Sequence, residues 1–480
     1  MFIGRKKELE FLEEKYNSSS GEMVVLYGRR RIGKTELLKE FCKNKPHVFY
    51  SCKECVDMEQ LRNFSQKLLQ TGMDAARYIN SFFDWEQAFK SILDIPVTNK
   101  EKRLVIIDEF PYMCKGNNSI PSILQNLWDN VLKDSSVMLV LCGSSMSFIE
   151  KEILSEKNPL YGRDTGIYKM SEMSFYEAIQ FFPDYSAEDK IAVYSILGGI
   201  PHYLKQFNPA LTLADNIQKN ILTKGTVLYS EIEFLLHQEL RETAVYNSII
   251  EAVALGNTRL SDIYNKTQIE KTKISVYLAN LIELGIVKRE FSVAENIKET
   301  ANSQRGLYQI TDNYFKFWYS YVYPNYSELE VSDVEGVYQY AILPSLHQFI
   351  SYGFEDICIQ YMRKQNTLNK LPFHYSRIGR WWDKVSVNEN GKRVSRVEEI
   401  DIMAHDMTKE QLILGECKYR NEKTDIAVLN ALKQKYPSGN KKAYYYLFSL
   451  SGYTQALMDC SAQSDDVFLI DIENELCVYD

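Results

Sequence analysis

Three short apolar runs stand out in the first third of the chain: Met23-Val24-Val25-Leu26-Tyr27, Leu104-Val105-Ile106-Ile107 and Val137-Met138-Leu139-Val140-Leu141-Cys142. Unbroken apolar runs of this length predict strands buried on both faces, as in an open parallel sheet. A helical pattern, 36–42, follows the first of them. From about 174 to 240 the apolar spacing shifts to near 3.6 and predicts helix throughout. Further helical stretches at 243–255, 260–267 and 272–284 are punctuated by Gly256 and Gly285. Strands are predicted at 286–291 and 307–310, with a polar stretch, 295–305, between them. Three helices and a two-stranded wing make a winged helix-turn-helix. The run Tyr314-Phe315-Lys316-Phe317-Trp318-Tyr319 reads as helix-packing surface, since little that is basic interrupts it. Near the end, 399–402 and 412–418 alternate as strands on either side of a polar turn, 406–411.

Composition narrows the picture. A chain of 480 residues has room for about three domains. Its 45% hydrophobic and 25% charged residues describe an ordinary globular protein. The net charge of −8 gives no global signature for nucleic acid, so such a partner has to be met by a local patch. The first residues lack the apolar stretch of a signal peptide, and no apolar run approaches the ~18 residues that cross a bilayer. Without such a run no membrane role is expected, and nine scattered cysteines point to reduced thiols and the cytoplasm. The lone pair Cys52 and Cys55 reads as a strand end.

Chemistry enters at Gly28-Arg29-Arg30-Arg31-Ile32-Gly33-Lys34-Thr35. The stretch fits G-x-x-x-x-G-K-[ST] and lies between a predicted strand and a predicted helix, as a phosphate-binding P-loop requires. Its backbone N–H groups would curl around phosphates, with the arginine side chains pointing outward. Lys34 would reach the β/γ-phosphates of ATP or GTP, and Thr35 would hold Mg²⁺. Asp108 and Glu109 end the second strand, at the edge where ligands sit in such sheets. Asp108 suits a Mg²⁺ contact and Glu109 a general base or water-positioning group. Ser144, just past the third strand, is either a γ-phosphate sensor or a small-residue strand terminus.

A second constellation lies in the C-terminal hairpin. A turn centred on Thr408-Lys409 puts Asp401 opposite Glu416, with Lys418 on the same face. Like charges directly opposed destabilise a strand pair, and a divalent cation would relieve this; Lys418 would then act on a phosphoryl centre. Just upstream, Arg363, Lys364, Lys370, Arg377, Arg380, Lys384, Lys392, Arg393 and Arg396 outweigh Asp383 and Glu389. That local charge, with Arg380-Trp381-Trp382 as added aromatic surface, favours a nucleic-acid partner, for which DNA is the expectation and RNA the alternative. In the winged segment the two signs balance between 241 and 300, so a protein-contact or lid role is favoured there over DNA binding.

Two resemblances follow. Phe2-Ile3-Gly4-Arg5 with Glu8-Leu9, the P-loop, Asp108-Glu109, Gly143-Ser144-Ser145, Pro159-Leu160-Tyr161-Gly162-Arg163 and Gly198-Gly199-Ile200-Pro201 resemble the archaeal-type ATPase family. These are relatives of the AAA-like signal-transduction ATPases with numerous domains (STAND). The resemblance implies that Phe2 and Ile3 border the adenine and that Pro201 approaches the nucleotide from a helical lid. It makes Arg163 either a phosphate-contacting residue, as sensor or arginine finger, or a structural ion-pair partner. The Asp401, Glu416 and Lys418 spacing, with Glu355 on a helix, resembles the PD-(D/E)xK nuclease superfamily, although Ile400 replaces the proline of its name. That likeness implies Mg²⁺ held by Glu355, Asp401 and Glu416. The expected organisation is α/β: a P-loop ATPase core at 1–170, a helical lid at 171–240, a winged helix at 241–311 and a restriction-endonuclease-like domain at 312–480. The functional expectation is a switch ATPase coupled to a metal-dependent nuclease-like domain. The competing readings are a regulatory ATPase that binds DNA or protein without cutting, and an ATP-driven motor. A homo-oligomer is left open.

Overall fold

A computed structural model describes residues 2–98, 101–295, 305–389, 392–436 and 441–478. The wing-loop residues 296–304, and the side chains of Glu389, Lys392 and Arg393 in the basic stretch, lie outside the described residues. The chain forms two compact units. The first comprises Met1–Met173 with Ile200–His202, and the second Ser174–Gly199 with Tyr203–Asp480.

The first unit is built on five strands: β1 (Glu22–Tyr27), β2 (His47–Ser51), β3 (Arg103–Asp108), β4 (Val137–Gly143) and β5 (Gly166–Lys169). Their order is β2-β3-β4-β1-β5, and every pairing is parallel. All residues of β1 and β4 are buried. The predicted apolar runs are thus the central strands, because helices cover both faces of a parallel sheet. Helix Lys34–Phe41 leaves the P-loop and turns Leu37, Leu38 and Phe41 inward. The ends of β1, β3 and β4 open on one edge, which sets the P-loop, Asp108 and Ser144 close together.

The second unit begins with helices. Ala187–Leu197 packs against the 25-residue helix Leu343–Thr367. A Cβ on Gly353 would lie 2.2 Å from Ser195 Oγ, so this crossing requires glycine. Helices Thr243–Ala254, Leu260–Thr267 and Lys271–Glu283 precede an antiparallel pair, β6 (Val287–Glu290) and β7 (Leu307–Ile310). The aromatic run is core: Tyr314, Phe315, Phe317, Trp318 and Tyr319 are fully buried. The Trp318 ring N–H donates to the Tyr229 carbonyl at 3.0 Å, satisfying a polar group that burial would otherwise leave costly.

The C-terminal sheet runs β12 (Val467–Ile470), β11 (Lys442–Ser449), β10 (Gln411–Lys418), β9 (Lys392–His405) and β8 (Arg377–Glu389). β8 and β10 both flank β9 antiparallel, while β10, β11 and β12 run parallel. The segment leaving β6 covers part of the β8 edge: the Val293 N–H donates to the Arg380 carbonyl at 2.9 Å, and the Trp382 N–H to Ser292 Oγ at 3.3 Å. One expectation needs correction here. Trp381 is not part of an aromatic surface; it is buried in the sheet's core, edge-on to Tyr436. β8 is a strand, so alternate side chains face inward.

Candidate nucleotide site and acid centre

The P-loop bends back on itself through residues with positive φ, Arg31 at 72° and Gly33 at 90°. Gly28 has no room for a side chain, since a Cβ there would meet the Met170 carbonyl oxygen at 2.5 Å. Lys34 is buried, and its ammonium donates to the Gly28 and Arg29 carbonyls at 2.8 Å each. Burial lowers its pKa, while Cys142, Glu109 and Asp108 act in the opposite direction. Thr35 Oγ1 donates to Asp108 Oδ2 at 2.9 Å. This hydroxyl and carboxylate, from the helix start and the β3 end, form an oxygen pair that fits Mg²⁺.

Glu109 adopts a left-handed conformation, φ 53°, as it starts helix Phe110–Gly116. Its carboxylate accepts from Ser144 Oγ at 2.6 and 2.8 Å. The candidate sensor and the candidate base are therefore tied to each other, a contact that sequence spacing did not reveal. Pro201 lies over the loop, with its Cγ 3.8 Å from where a Gly33 Cβ would be. Arg163 forms an ion pair with Asp129, through Nε at 3.1 Å and a terminal nitrogen at 3.0 Å to the same oxygen. Of its two readings, the structure shows the ion pair.

Sequence reasoning also missed Arg5. It is buried and donates to Glu8 at 2.9 Å, to the Ser171 carbonyl at 2.8 Å and to the Ile32 carbonyl at 2.8 Å. The guanidinium fork pins the N-terminal segment to the P-loop itself. Its place three residues before a Glu was the available signal. The flanking Phe2 and Ile3 are half-buried. Arg29, Arg30 and Arg31 are all engaged in interactions of their own.

In the second unit, Ile402 pairs with Gly415, so Asp401 falls one step along, opposite Glu416, as the turn predicted. A bulge marks the spot: the β8–β9 register shifts between Gly379, paired with Met403, and Trp381, paired with Ile400, which leaves Asp401 and Ile402 as the two β9 residues spanning the shift. Such bulges re-aim side chains. Asp401 Oδ2 accepts from the Cys417 N–H at 2.8 Å. Burial, then the Glu416 charge, raise the Asp401 carboxyl above its ordinary range, while the Cys417 N–H, Lys418 and Lys435 lower it. Glu416 is buried and accepts from Lys418 at 2.6 Å and from Lys435 at 2.9 Å. Lys435 ends helix Ile426–Lys435 and was not anticipated.

Glu355, from the long helix, has Arg380 Nε 3.7 Å from Oε2; the same guanidinium lies 3.8 Å from Glu290 and 4.0 Å from Glu399. Arg380 is thus committed to carboxylates, in contrast to the expected open basic surface. Among the described residues, no three His, Cys, Asp or Glu side chains gather closely enough to hold a metal ion. With both Glu416 oxygens accepting from lysine, the expected set of Glu355, Asp401 and Glu416 does not fit a cation as it stands.

Burial, then the Asp401 charge, push the Glu355 carboxyl from 4.5 up to about 8. The folded chain therefore binds a proton here that the unfolded chain has released between those values. This stabilisation is present at low pH and is lost as pH rises through the window. Glu355→Gln should flatten that fall and leave the variant more stable than wild type at pH 8, each tenfold change in proton affinity being worth about 1.4 kcal/mol. Urea unfolding at pH 5 and pH 8 measures it, and parallel pH dependence in both proteins would refute it.

A family model described as an ATPase domain predominantly from Archaea matches residues 2–207, and one for archaeal and bacterial proteins of unknown function matches 318–429. An uncharacterized protein of Methanocaldococcus jannaschii is 34% identical over 83% of this chain and 87% of its own length. An uncharacterized ATP-binding protein of the same organism is 58% identical over 9% of this chain and 76% of its own. Among solved structures, a Walker-type ATPase of Pyrococcus abyssi aligns with 66% of this chain and 96% of its own, at 18% identity and a TM-score of 0.48. No helix among the described residues is long and apolar enough to cross a membrane. With a matched ATPase domain, a relative along most of its length and a P-loop on a five-stranded parallel sheet, the chain belongs to the archaeal-type ATPase family and is an ATPase.

Proposed function

We propose that this ATPase is a switch of the STAND type, whose second unit carries a metal-dependent nuclease-like centre acting on DNA in preference to RNA. In the first unit Lys34 neutralises phosphate charge, Glu109 positions or deprotonates the attacking water, and Ser144 orients Glu109. Thr35 and Asp108 hold Mg²⁺, which when bound offsets the charge of the phosphates. Pro201 borders the nucleotide.

The observation that carries the nuclease-like reading is the hairpin register, which sets Asp401 opposite Glu416 with Lys418 2.6 Å from Glu416. The Asp401 charge also acts on Glu355, from the long helix. Exposed Lys384 on β8 supplies positive charge along the neighbouring strand. The lysines on Glu416 favour the second reading, a regulatory ATPase that binds without cutting.

The test is to incubate the full chain with duplex and single-stranded DNA and with RNA, with and without ATP and Mg²⁺. Divalent-dependent cleavage, lost in Asp401→Ala and in Glu416→Ala, is the expected result. Removing one of two facing carboxylates should not by itself unfold the sheet. ATP hydrolysis with no cleavage of any form overturns the nuclease reading in favour of the regulatory one, and ATP-dependent translocation would identify a motor.

A further inference from the structure

Glu416, in the acid centre, is held by a cation that the spacing of the motif does not account for. Lys435 comes from the far end of a separate helix, and its ammonium lies 3.1 Å from Glu416 Oε1 and 2.9 Å from Oε2. Lys418 holds Oε1 as well, at 2.6 Å. Both oxygens of a buried carboxylate are thereby engaged by ammonium groups. The Glu416 side chain is only 8% exposed, whereas those of Lys418 and Lys435 are 27% and 25% exposed. The carboxylate is fixed and each lysine head keeps a route to water.

The two lysines differ in what they can do next. Lys418 is two residues from Glu416 on one strand, so it stays on that face whatever else binds. Lys435 arrives on a long flexible stem that can swing aside without disturbing β10. Asp401, held by the Cys417 N–H at 2.8 Å, faces the same carboxylate across the hairpin. A divalent cation bound by Glu416 would have to take an oxygen that an ammonium already occupies, and Oε2 is the one engaged by Lys435 alone. An ammonium and a dication cannot share that oxygen, since like charges at contact distance repel strongly in a partly buried site.

We infer that Lys435 is a positioning residue that competes with divalent cations for Glu416, so that cation loading of the acid centre requires Lys435 to leave. This deepens the nuclease-like reading and rests on it. Lys435 keeps the acid pair compensated, and the site accepts a cation only when something draws the ammonium away. A phosphate group is the chemistry suited to that, because it offers Lys435 an equally charged partner.

The test is Mn²⁺ binding to nucleotide-free full-length protein, read by the loss of the free-ion paramagnetic resonance signal. Lys435→Met should bind Mn²⁺ about tenfold or more tightly than wild type, having lost one competing charge. Lys435→Arg should stay near wild type. Adding Glu416→Gln to Lys435→Met should erase the gain, which separates this site from the P-loop. Lys435→Gln replaces the Met variant if circular dichroism shows that the latter is misfolded. Unchanged or weaker binding in the Met or Gln variant, with Glu416→Gln alone still weakening binding, overturns the competition and leaves the acid centre standing. Binding that no Glu416 or Lys435 substitution alters overturns both.

Discussion

Lys34→Ala should abolish tight ATP binding while the protein stays folded. The ammonium is buried at the P-loop, and its donors sit on the Gly28 and Arg29 carbonyls, within the loop that is to cradle phosphates. Hydrogen bonds between charged groups contribute about 1.5–3 kcal/mol each, so losing two costs on the order of 10²-fold or more in affinity. Burial depresses the Lys34 pKa and the acids around it oppose that shift. Removing the cation leaves Asp108 and Glu109 uncompensated beside an incoming polyanion, and repulsion adds to the loss. The sheet does not depend on this side chain, since the cores of β1 and β4 are apolar. Calorimetric titration with ATP measures the affinity and a melting curve checks the fold. Unchanged affinity would refute the assignment of Lys34.

Glu109→Gln should leave ATP bound and slow its hydrolysis by roughly 10²–10⁴-fold, the usual contribution of a positioned acid or base. The amide has nearly the same shape and can still bond to Ser144 Oγ, which now contacts both carboxylate oxygens. It cannot accept a proton from water. The left-handed backbone at Glu109 is tolerated by glutamine as it is by glutamate, so a loss of turnover reports chemistry rather than folding. Single-turnover hydrolysis alongside nucleotide binding separates the two effects. Turnover equal to wild type would mean that another group orients the water.

The parts of both sites that were legible in the sequence share one physical property: short-range periodicity fixes them. A strand feeding a glycine-rich loop and a helix can place Lys34 and Thr35 in only one way. A short turn with period-2 strands fixes the register that sets Asp401 opposite Glu416, because a slip of one residue would send every side chain to the wrong face. Buried apolar runs announced β1, β3 and β4, and the aromatic run at 314–319 announced core.

What the sequence could not determine was which distant groups meet at those places. Arg5 reaches the Ile32 carbonyl, Ser144 reaches Glu109, Arg163 reaches Asp129 and Lys435 reaches Glu416. Each contact joins residues brought together by the packing of a helix or loop on a sheet, and no local pattern encodes that distance. Arg380 and Trp381 show the same limit: a run read as basic and aromatic surface became a strand whose arginine serves three carboxylates and whose tryptophan fills the core. The sequence by itself determined the fold class, the nucleotide loop and the pairing of the hairpin acids, because hydrogen-bond register and hydrophobic period act over a few residues. Only the tertiary structure decided how each charge is compensated, because burial forces an ionised group to find a partner and the nearest one in space need not be near in the chain.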